Sequence, residues 1–292
     1  MKRFLLFSIG VIFCLSAFSA ENKDQEILRG YFAHSEIFEA YTVQKMRSSQ
    51  LFSDAELARQ ARLIAATKFF LETPYVASTL EINDEEQLVV NLRELDCVTL
   101  VENVIALTRT LNTGNRTIEQ FKQELQFIRY RDGIIDGYPS RLHYFSDWLL
   151  NNSQNDILTD ITKEIGGEPI RFNVNIISSR PDSYKALKNR PDYVEKIKQI
   201  EQKINSQTFY FIPQDRIDEK RNKIRNGDII CFVTSNEGLD ISHVGIAYHT
   251  DDKLTFIHAS LTARKVIVDP NSIADYVAGI SHNTGIIVLR VN

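Results

Sequence analysis

Ser242-His243-Val244-Gly245-Ile246-Ala247-Tyr248 and Leu254-Thr255-Phe256-Ile257-His258-Ala259-Ser260 are two runs rich in apolar, β-branched and aromatic residues, separated by a short polar turn around Thr250-Asp251-Asp252. Such a pair reads as a β-hairpin. Further strands are predicted at 229–234, 265–268 and 285–291, rich in Ile, Val and Phe. Their sequential order and short connections favour an antiparallel sheet. The register of the hairpin decides what its histidines can do. A turn centred on Thr250-Asp251 puts His243 directly opposite His258, and one centred on Asp251-Asp252 makes them diagonal neighbours. Either way the two imidazoles share one face, where His258 can orient His243 as a base. Gly245, two residues along that face, leaves room beside it.

Upstream, the pattern changes to helical spacing. Ser53 with Glu56 predicts a capped helix that stops before Pro74. A second helix runs from Cys97 to about Leu111, with Cys97, Leu100, Val101, Val104, Ile105, Thr108 and Leu111 on one inward stripe. Thr117 with Gln120 caps a third, its inward face made of Ile118, Phe121, Leu125 and Ile128. Asp132-Gly133 and Asp136-Gly137 are turns. Residues 166–208 read as a charged surface insertion containing a helix over 191–205. The expected architecture is α+β: a helical half over about 24–165, the insertion, and a β-rich half over about 209–292, forming one domain over 20–292.

The N-terminus reads as an export signal over 1–19. Lys2 and Arg3 precede an uncharged stretch from Phe4 to Phe18, too short for a membrane span, with Ala17 and Ser19 suited to cleavage before Ala20. Lipidation at Cys14 is the rival, disfavoured because Val11-Ile12-Phe13 lacks the small residue such a site needs. The expected location is therefore exported, periplasmic or extracellular, with no stable membrane anchor. The net charge is −4, and −6 once Lys2 and Arg3 leave with the signal, so a basic footprint for nucleic acid is absent. Hydrophobic residues at 43% and charged residues at 25% are ordinary globular values, enough for a full core without staples. After cleavage only Cys97 and Cys231 remain. They could form one disulfide in an oxidising compartment, but Cys231 lies in Ile229-Ile230-Cys231-Phe232-Val233, where a small buried hydrophobe is the simpler account.

Cys97 opens its helix behind Asp96. Unpaired backbone N–H groups and the positive end of the dipole would favour a thiolate there and could hold an oxyanion. Asp96 is the natural N-cap rather than a base. A cysteine at a helix start and two histidines on neighbouring strands together make the parts of a thiol hydrolase.

Asp96-Cys97, Gly227-Asp228-Ile229-Ile230, Ser242-His243-Val244-Gly245-Ile246 and Phe256-Ile257-His258-Ala259-Ser260 resemble, in order, the motifs of the NlpC-type papain-like cysteine peptidoglycan hydrolases. The resemblance implies a catalytic set of Cys97, His243 and His258, with Tyr75 of Thr73-Pro74-Tyr75-Val76 as an oxyanion or substrate contact. Val98-Thr99 replaces the usual Ser-Gly after the nucleophile. That run, with Ile128-Arg129-Tyr130-Arg131-Asp132-Gly133 and Ser140-Arg141-Leu142-His143-Tyr144, resembles instead the N-acetylmuramoyl-L-alanine amidase-like branch. The implied partner is peptidoglycan or its muropeptide fragments, cleaved at an amide bond without metal or other cofactor. Arg129, Arg131 and Arg141 could pair with stem-peptide carboxylates or be ion-paired scaffold residues. His143, Tyr144 and Trp148 read as packing.

Other readings remain. The bond cleaved could be the γ-D-glutamyl-diamino acid bond of the stem peptide. A metal site would need His243, His249 and His258 together, which the even spacing and turn position of His249 disfavour. A thiol acyltransferase would more commonly place histidine before cysteine. A non-catalytic wall-binding module would have no need of the retained thiol and histidines.

Overall fold

The computed structural model describes residues 3–46, 53–250 and 252–292, with side chains described from Ala20 onward. Of the expected export signal, Met1 and Lys2 lie outside the described residues, as do the side chains of 3–19, Cys14 included. Helix α1 (Arg3–Met46) leads into α2 (Asp54–Phe69), α3 (Cys97–Asn112), α4 (Ile118–Arg129) and α5 (Phe145–Gln154). The caps fall where the sequence places them. Ser53, Asp96 and Thr117 each accept from the backbone N–H three residues on, worth about 1 kcal/mol apiece. At α3 the box is closed by Thr99, whose hydroxyl accepts from the Asp96 amide at 2.9 Å. Leu28, Tyr31 and Phe32 of α1 pack into the main core, and Asp24 ties α1 to the loop before α3 by accepting from Leu92 N and Arg93. Among the described residues no helix is long and apolar enough to cross a membrane.

The sheet contains β1 (Leu158–Asp160), β2 (Glu168–Ile170), β3 (Phe209–Pro213), β4 (Ile229–Thr234), β5 (Ile241–His249), β6 (Leu254–Ser260), β7 (Lys265–Val268) and β8 (Asn283–Val291). Its order is β2-β3-β8-β4-β5-β6-β7, with β1 also paired to β8, and all the strand pairs are antiparallel. β4 to β7 follow one another as expected, but β8 returns to the far side of β4. That placement buries β4 completely, and its alternation serves two cores. Ile229, Cys231 and Val233 join the helical side. Ile230 and Phe232 join a smaller core with Ile273 and Val277 of α9 (Ile273–Ala278) on the opposite face. A second, thinner helical layer therefore covers the sheet, supplied by α8 (Ile217–Lys220) and α9.

The segment 166–208 departs from the expected surface insertion. It carries α6 (Ile176–Ser179) and α7 (Pro191–Asn205). The outer face of α7 is charged, but Phe172, Val174, Ile177, Leu187, Ile197 and Ile204 are buried in the main core. Buried Glu201 of α7 accepts from Tyr144 Oη at 2.8 Å and from Ser178 N at 3.0 Å, so this helix is stitched to α5 and α6 by polar as well as apolar contacts.

Candidate active site

The hairpin adopts the diagonal register, since Ile246 pairs with Ile257 and His249 with Leu254. His243 and His258 are thus diagonal neighbours, and Gly245 is the residue across from His258. A Cβ on Gly245 would sit 2.6 Å from Phe256 Cδ2 and 3.2 Å from His258 Cβ. The missing side chain is what lets His258 lie close enough to meet His243. Their rings are nearly perpendicular at 84°, with His243 Nε2 and His258 Nδ1 2.7 Å apart.

Regular β5–β6 pairing stops at Ile246, before Val244 is reached. The freed Val244 N–H donates instead to Cys97 Sγ, which also faces the N–H groups of Cys97 and Val98 at the start of α3. The sulfur therefore lies on the peptide unit that joins His243 to Val244. With Nε2 turned toward His258, Nδ1 is the His243 nitrogen left for other work. Cys97 is half-buried and Cys231 wholly buried, and both are free thiols, so the disulfide alternative falls.

The electrostatics oppose the thiolate expected at the helix start. Burial and the Asp96 carboxylate push the Cys97 thiol up to about 12, outweighing the three backbone N–H groups that favour the anion. Burial, with the neighbouring His258, pushes His243 down to about 3, against the opposing pull of Asp269. Both shifts favour the neutral forms of thiol and imidazole over a preformed thiolate.

Two residues absent from the sequence reading complete the site. Asp269, just after β7, places Oδ2 at 3.1 Å from His258 Nε2. Burial opposes its ionisation, but hydrogen bonds from His258 and Asn271 hold its carboxyl below the usual range. The alternation of β7 carries the signal: Ile267 is paired with His258, and Asp269 is two residues on. Tyr276 of α9 packs its ring 6.2 Å from that of His243 and 5.8 Å from that of His258. Burial, then the charges of Asp269 and Cys97, push its phenol up to about 12. Tyr75 approaches the sulfur from another element. Burial and then the Cys97 and Asp96 charges raise its phenol, and its backbone bridges Leu95.

The arginines do not join this cluster. Arg129 is buried, donating to Glu102 at 2.7 Å and to Val89 O at 2.6 Å. Arg131 makes a bidentate pair with Asp147 at 3.1 and 2.6 Å. Arg141 is buried between Glu81 and Glu86 over the Tyr138 ring. Each guanidinium is ion-paired within the chain, as the scaffold alternative expects. His143 is likewise structural, its Nε2 on Tyr138 O at 2.8 Å, with burial pushing its pKa down to about 3. His249 Nε2 is bound to Ile224 O at 2.8 Å, which removes it from any shared metal set with His243 and His258.

Residues 65–286 match the AmiA-like family model, described as N-acetylmuramoyl-L-alanine amidase-like. The crystal structure of a Bacteroides uniformis N-acetylmuramoyl-L-alanine amidase is 40% identical in sequence, matches 80% of this chain and 99% of that one, and superposes with a TM-score of 0.77. A Legionella pneumophila protein of the DUF1460 family is similar over 94% of this chain and 96% of its own, with a TM-score of 0.64; at 21% identity that likeness concerns the fold alone. No curated protein matches.

Proposed function

Because the chain belongs to the AmiA-like, N-acetylmuramoyl-L-alanine amidase-like family, we propose that it is an exported cysteine hydrolase that cleaves an amide bond of bacterial peptidoglycan. The bond assigned is that between the muramic acid lactyl group and L-alanine. The observation carrying the mechanism is the convergence of Cys97 Sγ on the Val244 amide with the 2.7 Å His243–His258 contact beside it. On this reading the fold is the papain-like arrangement of NlpC-type enzymes, with the nucleophile helix wedged where the β5–β6 ladder ends.

The neutral resting pair dictates the order of events. As Sγ attacks the amide carbon, the thiol proton passes to His243 Nδ1, so the thiolate need not exist beforehand. The oxyanion is held by backbone N–H groups at the start of α3, assisted by the Tyr75 hydroxyl. The C–N bond then breaks, and His243 returns the proton to the leaving amine of the stem peptide, leaving a thioester. Water gives a proton to His243, attacks the thioester and releases the muramyl carboxylate, and the proton returns to sulfur. Export is part of the proposal, with the segment 1–19 removed and the chain beginning near Ala20.

Mass spectrometry of defined muropeptides incubated with the protein and with Cys97→Ala tests this. Sugar freed from an intact stem peptide, produced by wild type and reduced by at least about a thousandfold in Cys97→Ala, is the expected result. Fragments retaining a muramyl dipeptide would instead mean cleavage at the γ-D-glutamyl bond. Equal products from both proteins would end the cysteine mechanism.

A further inference from the structure

The hydrogen-bond chain that starts at His243 does not end at His258, and its far end fixes its polarity. Asp269 is buried, 6% exposed, and anchored on both sides. Its backbone N–H donates to Phe256 O at 2.9 Å, and its carbonyl accepts from Thr255 Oγ1 at 2.8 Å. Oδ1 is taken by two donors of Asn271, the backbone N–H at 2.8 Å and Nδ2 at 3.1 Å. Oδ2 is left for His258 Nε2 at 3.1 Å. An ionised carboxylate can only accept. His258 must therefore carry its proton on Nε2, which leaves Nδ1 as an acceptor. Facing that acceptor at 2.7 Å, His243 must carry its proton on Nε2. The unprotonated nitrogen of His243 is then Nδ1, the one left free to accept a proton.

We propose that Asp269 is a positioning residue that sets the tautomers of both histidines, through His258, so that His243 presents a lone pair rather than an N–H to Cys97. The inference deepens the Cys97–His243 reading and rests on it, but its readouts need no cell-wall substrate. Asp269→Asn is the discriminating variant. The Asn271 donors still demand an acceptor at the Oδ1 position, so the new amide must turn its NH2 toward His258. That donor forces His258 to carry its proton on Nδ1. His243 is then forced to accept at Nε2 and to carry its own proton on Nδ1, and the whole chain reverses.

Two-bond 15N–1H correlation spectra of the histidine-labelled protein, without substrate, read this directly. Wild type is expected to show protonated Nε2 and unprotonated Nδ1 on both His243 and His258, and Asp269→Asn the inverse on both. Asp269→Glu, which keeps an acceptor, should retain the wild-type pattern. Alkylation of Cys97 by iodoacetamide at neutral pH should slow by up to about ten-thousandfold in Asp269→Asn, the scale of losing the correct tautomer in a catalytic triad. A wild-type spectrum with His258 protonated on Nδ1 would overturn the proposal even if the variant failed to fold. So would an Asp269→Asn protein with wild-type tautomers and an unchanged alkylation rate. Absence of muropeptide turnover by wild type with these tautomers intact would sink the assigned substrate and leave the role of Asp269 standing.

Discussion

Arg129 and His258 are both 2% exposed and both face a carboxylate, Glu102 and Asp269 respectively. The arginine closes its circuit at once. Glu102 and Val89 O take its donors, and nothing downstream depends on which proton sits where, because a guanidinium has only donors to give. The imidazole instead has one donor and one acceptor, so what it receives from Asp269 it transmits to His243. A closed pair holds shape, and an open chain carries information about proton position to its free end. The difference separates three internally ion-paired arginines from an aspartate whose hydrogen bond reaches the histidine pair.

That contrast can be broken by experiment. Arg129→Ala should have the larger effect on folding, lowering stability by about 3–5 kcal/mol in urea denaturation because Glu102 is left charged and buried without its partner. Burial already pushes Glu102 above the usual carboxylate range against the pull of Arg129. A loss under about 1 kcal/mol would show that the pair is not closed in solution. Gly245→Ala should be milder for stability, about 1–3 kcal/mol from overpacking against Phe256. It should nevertheless slow turnover by at least about tenfold, since a Cβ only 3.2 Å from His258 Cβ moves the ring that orients His243. Unchanged turnover in a folded Gly245→Ala protein would mean that the close approach of His258 is incidental.

What the sequence disclosed follows the range of each interaction. The caps at Ser53, Asp96 and Thr117 are settled within four residues, so the helices they open could be read directly. The histidine pair shares a face in either hairpin register, so its convergence was legible before the register was known. β1 and β2 have three residues each, too few for alternation to register, and the position of β8 beside β4 is a long-range choice with no local trace. The segment 166–208 reads as external because it carries as many charged residues as apolar ones, yet Ile197 and Ile204 on one edge of α7 help to anchor it. The expected thiolate meets opposition for a related reason. Helix N–H groups are visible in a sequence, whereas the burial that outweighs them, and the full reach of the Asp96 charge, are set by packing.

The pH dependence of Cys97 alkylation in wild type and His243→Ala tests the central pairing of sulfur and imidazole most directly. With the thiol pushed up to about 12 and His243 down to about 3, both groups stay neutral between those values. The wild-type rate, with proton transfer to His243 accompanying attack, should be level across neutral pH and fall only in strong acid as His243 charges. His243→Ala should react slowly at neutral pH, gaining about tenfold per pH unit as thiolate alone becomes the nucleophile. A wild-type profile that climbs with that same slope, or alkylation at Cys231 in place of Cys97, would contradict the account.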